Sequence, residues 1–75
     1  MMYTKPVYEP DTLRWHTSGA WRYALGDFGC ISGFGGLSPW QIRIRGRSAG
    51  LFRTLDAARR ALERAALDEG FLIDD

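Results

Sequence analysis

The segment closest to a catalytic motif is Gly46-Arg47-Ser48-Ala49-Gly50, which matches the G-x-S-x-G nucleophile elbow of hydrolases. That elbow needs a strand before it, a helix after it, and acid and histidine partners further along the chain. Here strand-forming residues follow the segment, and the only histidine, His16, precedes it. The sequence therefore predicts a glycine-flanked hairpin turn, with Ser48 in no catalytic role.

Cys30 and His16 are the remaining pair of residue types that can act as nucleophile and base. No pattern places them together, and a small buried thiol is the commoner fate of a free cysteine. A single cysteine excludes an internal disulfide and a cysteine-based zinc cluster. Asp27-Phe28-Gly29 matches the kinase magnesium motif, but 75 residues leave no room for its partners. We predict no enzyme activity, no metal and no cofactor.

The glycine-rich segment from Gly26 to Pro39 has neither G-x-G-x-x-G nor Gly-Lys-Ser/Thr, so it does not predict a phosphate loop. It is typical of a connecting loop, with a short strand at residues 28–32 as an option. The loop carries Phe34, whose ring is either a core plug or a contact residue. Both interpretations stay open at this point, because loops often carry function.

Two segments alternate in the way that half-buried strands do. In the first, Trp21, Tyr23 and Leu25 alternate with Arg22, Ala24 and Gly26. In the second, residues 40–45, the apolar side chains are Trp40, Ile42 and Ile44, and the polar ones are Gln41, Arg43 and Arg45. β-Branched and aromatic residues favour this state. A turn at 46–50 and a short returning strand at 51–53 complete the predicted sheet.

The segment after Arg53 predicts a helix from Leu55 to about Asp68. Thr54 is a favourable N-cap, and Asp56 in the first turn opposes the positive end of the helix dipole. Gly70 is a natural stop. The apolar stripe consists of Leu55, Ala58, Leu62, Ala65 and Ala66.

These elements predict an α+β fold in which a three-stranded antiparallel sheet packs against one C-terminal helix. Residues 71–73 either add a fourth, edge strand or pad the core. Pro6 and Pro10 block a helix near the start, so residues 1–12 are predicted to form an extended arm. Residues 13–75 are predicted to form a single domain, as the length requires.

Composition indicates a cytoplasmic, soluble protein, because the first ten residues do not form a signal peptide and no apolar run reaches membrane-spanning length. The net charge of +1 is unevenly distributed. Residues 40–64 hold seven arginines and two acids, whereas residues 67–75 hold four acids and no base. The chain thus has a basic middle and an acidic tail.

The alternation predicts a sheet face that carries arginines. If Trp40, Ile42 and Ile44 face the helix, the intervening arginines face outward, and an exposed basic sheet face is typical of an anion-binding surface. The predicted binding residues are Arg22, Arg43, Arg45, Arg47 and Arg53, together with Phe34 in the glycine loop. Solvated arginines with no partner are the alternative.

Residues 40–66 resemble the DNA-binding domain of plant ethylene-response factors and are similar to the arm-binding domain of tyrosine recombinases. The resemblance rests on residues 40–45 (WQIRIR), a short turn, and residues 52–61 (FRTLDAARRA). It implies that a three-stranded sheet enters the major groove with Arg43 and Arg45 as readers, helped by Arg22 or Arg47. The first strand and its loop depart from the families' short hairpin.

The whole chain also resembles, in overall type, small phage-encoded inhibitors such as anti-CRISPR proteins. That resemblance implies protein contacts with a nucleic-acid-handling complex. A basic face beside an acidic tail suits a protein partner better than bare duplex DNA. We therefore expect a non-enzymatic inhibitor of this type, with a DNA-binding module as the alternative. A free sheet edge leaves either a monomer or a dimer.

Overall fold

The computed structural model describes residues 12–35 and 39–74, which form one six-stranded mixed sheet and one helix. The predicted N-terminal arm lies outside the described residues except for Thr12, which begins the first strand. The strands are β1 Thr12–Gly19, β2 Arg22–Leu25, β3 Gly29–Ser32, β4 Trp40–Ile44, β5 Arg47–Phe52 and β6 Leu72–Asp74. The helix is α1 Leu55–Asp68.

The α+β class is confirmed, but the predicted sheet of three or four strands is too small. The spatial order is β5-β4-β3-β2-β1-β6, with β1 to β5 joined as successive antiparallel neighbours and β6 parallel to β1. Strand β1 was not predicted from the sequence. In it, Leu13 is buried and Trp15 is half-buried among polar residues. Residues 71–73, the optional fourth strand, correspond to β6 with a shift of one residue.

The helix crosses the sheet from one edge to the other, because it follows β5 at one edge and leads to β6 at the opposite edge. Its 14 residues extend about 21 Å at 1.5 Å per residue. The five gaps between six strands span roughly 24 Å at about 4.8 Å each. The helix is therefore nearly as long as the sheet is wide, and the described residues contain no second helix that could cover the other face.

The helix begins and ends as its sequence predicts. The Thr54 side chain accepts a hydrogen bond from the Ala57 backbone N–H at 3.1 Å, which satisfies one of the free donors of the first turn. At the other end, the Phe71 backbone N–H donates to the Ala66 carbonyl at 3.1 Å, as in a Schellman motif. The Phe71 ring then packs against Phe28, with ring centroids 5.4 Å apart.

The core lies between the helix and the sheet face that it covers. Leu25, Ile31 and Leu62 are its largest fully buried side chains. Gly29 brings the helix close, because a Cβ at this position would lie 2.5 Å from the Arg43 carbonyl oxygen and 2.7 Å from Leu62 Cδ1. The remaining buried members are Leu13, Phe28, Ile42, Ala58 and Ala66. No helix in the described part of the chain is long and apolar enough to cross a membrane.

Candidate functional site: the open face of the sheet

The sheet face opposite the helix, here called the open face, is built by strand alternation. Ile31 and Ile42 pair across β3 and β4 and are buried against the helix. Their neighbours in sequence therefore point the other way. Cys30 stands opposite Arg43, and Ser32 stands opposite Gln41. Arg22 is paired with Ser32 across β2 and β3, which places it on the same face.

Small side chains leave this face uncrowded between Arg22 and Arg43. A cavity of about 370 Å³ lies there, and its polar lining includes Ser18, Arg22, Ser32, Gln41 and Arg43. Gln41 is held in place because its Nε2–H donates to Ser48 Oγ at 3.0 Å. Phe34, from the loop after β3, lines the same cavity with 75% of its surface exposed.

The arginines of the open face are electrostatically unlike those of the helix. Arg22 and Arg43 take part in no ion pair with another described residue, whereas Arg59, Arg60 and Arg64 each pair with an acid four residues away. The carboxylate that the described strands place on the open face, Asp74, lies at the β1–β6 edge. It is paired there with Arg14 at 2.9 Å. Positive charge near the centre of the open face is therefore uncompensated within residues 12–35 and 39–74.

Arg45 lies apart from Arg43, although the alternation predicted that both point outward. Strand β4 ends at Ile44, and the two-residue loop Arg45-Gly46 has positive φ values of 52° and 82°, as in a type I′ hairpin turn. The Arg45 guanidinium pairs with Glu69 at 2.8 Å. It also lies over the Phe28 ring, 5.4 Å from the centroid. Arg45 thus ties the hairpin to the C-terminal end of the helix.

Two other predicted binding residues lie at the ends of β5. Arg47 is exposed and pairs in register with Ile44, whose side chain packs on the helix side. Arg53 follows the strand and is also exposed. Of the six predicted residues, the structure brings Arg22, Arg43 and Phe34 together around one cavity. It leaves Arg45, Arg47 and Arg53 at the sheet margin.

The predicted binding residues did not include the polar residues that lie between the arginines. Ser32 and Gln41 follow from the alternation of β3 and β4 once both strands are accepted, so the signal was present. Ser18 belongs to β1, the strand for which there was no prediction. Cys30 is half-buried and lines the cavity too. Within the described ranges, no three His, Cys, Asp or Glu side chains are grouped closely enough to hold a metal ion.

A second surface, beside the helix N-terminus, is aromatic. Trp21 was predicted to be a buried strand residue, but it lies in the β1–β2 turn with a φ of 61° and is 51% exposed. Its ring centroid is 6.1 Å from that of Trp40, and the Tyr23 ring centroid is 6.2 Å from that of Trp40. Tyr23 and Trp40 also pack against the core.

The comparisons with known proteins give no relative for this chain: no protein-family model, no curated protein and no solved structure matches it.

Proposed function

We propose that this chain is a small, non-enzymatic interaction protein that binds a protein partner through its open face. The observation that carries the proposal is the charge balance: Arg22 and Arg43 are exposed and without an ion-pair partner among the described residues, whereas the helix arginines are paired. A guanidinium free of internal partners keeps its donors available for carboxylates or phosphates of another molecule.

Exposed apolar side chains favour a protein over duplex DNA as the partner. Phe34 is 75% exposed beside the arginines, and Leu51, opposite Gln41, is 64% exposed. Arginine and aromatic residues are enriched at protein interfaces, where burial of apolar area adds to polar contacts. Phosphate backbone offers no comparable apolar surface to Leu51. The open face therefore combines the two kinds of contact that a protein surface provides.

The partner class that we propose is a nucleic-acid-handling protein complex, with this chain acting as an inhibitor of the phage-encoded, anti-CRISPR or anti-defence type. Mixed charge supports this class. The open face is basic at its centre, whereas the helix and its C-cap carry four described acids, each paired with an arginine: Asp56, Glu63, Asp68 and Glu69. A molecule with both signs exposed fits a protein surface better than a uniformly negative duplex.

A DNA-binding module remains the second candidate, and the uncompensated Arg22 and Arg43 are the observation that favours it. The width of the sheet weighs against groove insertion, because six strands span roughly 24 Å, whereas the major groove is about 12 Å wide. Arg45 pairs with Glu69, so one of the two arginines expected to contact DNA bases is held elsewhere. A mobility shift with duplex DNA at low salt, abolished by Arg43→Ala, would establish this candidate in place of the first.

Affinity capture with matched charge reversals tests the proposal. The tagged full chain is compared with Arg43→Glu on the open face and with Arg60→Glu on the helix, where Arg60 pairs with Asp56 at 3.2 Å. Both variants change the net charge equally. We expect Arg43→Glu to lose the captured protein and Arg60→Glu to retain it. Equal recovery by both variants, or recovery of nucleic acid without protein, would contradict the proposal.

A further inference from the structure

The cavity between Arg22 and Arg43 has the composition of an oxyanion site. The arginines lie on β2 and β4, two strands apart, and Arg43 is two residues along β4 from Gln41, which is aligned with Arg22 through Ser32. Their Cα atoms are therefore separated by roughly 12 Å. Two long arginine side chains of one cavity wall can converge on a group placed between them. Ser32, on the intervening strand β3, forms the floor, and Ser18 adds a second hydroxyl.

The cavity offers more hydrogen-bond donors than the two oxygens of a single carboxylate can accept. Two guanidinium groups and two hydroxyls line about 370 Å³, and no Asp or Glu is among the lining residues. A phosphate monoester presents three terminal oxygens and a charge of about −1.5 to −2 at neutral pH. Planar arginine forks match those oxygens, as they do in other sites that recognise phosphorylated side chains.

We propose that this cavity binds the phosphate of a phosphorylated serine or threonine on the protein partner, with Arg22 and Arg43 as the anion ligands. The inference rests on the proposed function and names the group that the open face recognises. Phe34, at the cavity rim and 75% exposed, contacts the apolar residues that flank the phosphorylated position.

A phosphorylated side chain fits this surface better than a nucleic-acid strand. Strand-binding proteins carry a groove of positive charge that follows several nucleotides, with aromatic side chains for successive bases. Among the described residues, the arginines whose side chains lie on the open face without an ion pair are Arg22 and Arg43, and Arg14 at the edge is neutralised by Asp74. One aromatic ring, Phe34, lines the cavity. The arrangement supplies one anion site and no extended basic groove that could follow a nucleic-acid strand.

Fluorescence anisotropy with three labelled probes tests the assignment. The probes are a short phosphoserine peptide flanked by leucine and glycine, the same peptide with serine, and a ten-residue oligothymidylate. We expect the phosphopeptide to bind the full chain at least tenfold more tightly than the serine peptide. Arg22→Gln and Arg43→Gln should each remove most of that difference, and Arg60→Gln, on the helix, should leave it unchanged.

Two results would overturn the assignment. Equal affinity for the phosphorylated and unphosphorylated peptides would show that the cavity does not recognise phosphate, and tighter binding of the oligothymidylate would assign it to nucleic acid. Phosphatase treatment of the lysate before affinity capture separates this inference from the proposed function. If the partner is captured through Arg43 with or without phosphatase, the open face binds protein but the phosphate assignment is wrong.

Discussion

One face of the sheet is covered by the helix and the other is exposed, and the two faces also differ in side-chain size and in charge balance. On the helix-bearing side, Leu25, Ile31 and Leu62 are completely buried. Charged side chains there have partners: Glu63 accepts a hydrogen bond from Trp15 Nε1–H at 2.7 Å and lies 3.7 Å from Arg59. The open face carries small polar residues and two arginines without partners in the described chain. Burial against the helix therefore stabilises the fold on the first face, and the second is the face to which we assign partner binding in our proposal.

The largest effect that separates the faces is expected from Leu62→Ala. Leu62 belongs to α1 and is fully buried on the side of the helix that packs on the sheet, and removing a buried leucine side chain costs about 2–5 kcal/mol of unfolding free energy. The matched control is Leu67→Ala on the same helix, where the side chain is 51% exposed and the cost should stay below about 1 kcal/mol. Urea denaturation measures both. Equal losses would mean that α1 does not pack on the sheet as described.

The next effect is a clash introduced on the helix-covered face of the sheet. Gly29→Ala places a Cβ 2.7 Å from Leu62 Cδ1 of the helix and 2.5 Å from the Arg43 carbonyl oxygen of β4, and overpacking of this kind costs about 1–3 kcal/mol. Ala24→Val enlarges a side chain on the uncovered side of the neighbouring strand, where we expect a change below about 1 kcal/mol. Thermal unfolding followed by circular dichroism distinguishes the two. A larger loss for Ala24→Val would reverse the assignment of the faces.

A smaller effect tests how the helix is initiated. Thr54→Ala removes the oxygen that accepts from the Ala57 N–H, and loss of an N-cap costs about 1 kcal/mol. Thr54→Ser keeps a hydroxyl at that position and should recover most of the stability. If serine and alanine prove equally destabilising, the lost contribution is the methyl group and not the cap. Chemical denaturation of the three proteins gives the answer.

The smallest effect on stability is expected on the open face. Arg43→Gln removes an exposed side chain that forms no ion pair with a described residue, so the unfolding free energy should change by no more than about 0.5 kcal/mol. The same substitution is expected to abolish partner binding. This pairing of near-normal stability with lost binding is the signature of a recognition residue. A loss of more than about 2 kcal/mol would make Arg43 a structural residue instead.

The parts of the fold that were predictable are those in which a local pattern and the tertiary structure agree. Thr54, the apolar stripe and Gly70 define α1, and the alternation in β4 orients Ile42 inward and Arg43 outward. These signals succeed because capping and side-chain alternation act over a few residues. The orientation of Arg43, and hence the position of the open face, followed from them.

The parts that were not predictable depend on long-range pairing or on an unusual backbone conformation. Strand β1 has few apolar residues because much of it is exposed, and it is held by β2 and by the distant β6. Arg45 adopts a positive φ that non-glycine residues seldom accept, and its contact with Glu69 spans 24 residues. The pairing of Arg45 with Glu69 also places a positive charge beside an acid at the C-terminal end of the helix, where the helix dipole disfavours negative charge.

The most direct test of the difference between the two faces is an NMR titration of the ¹⁵N-labelled protein with sodium phosphate at constant ionic strength, followed through the arginine Nε–Hε resonances. The account predicts saturable shifts at Arg22 and Arg43 and none at Arg59, Arg60 and Arg64, whose carboxylate partners already occupy them. Shifts of equal size on both faces, or shifts confined to the helix, would contradict it.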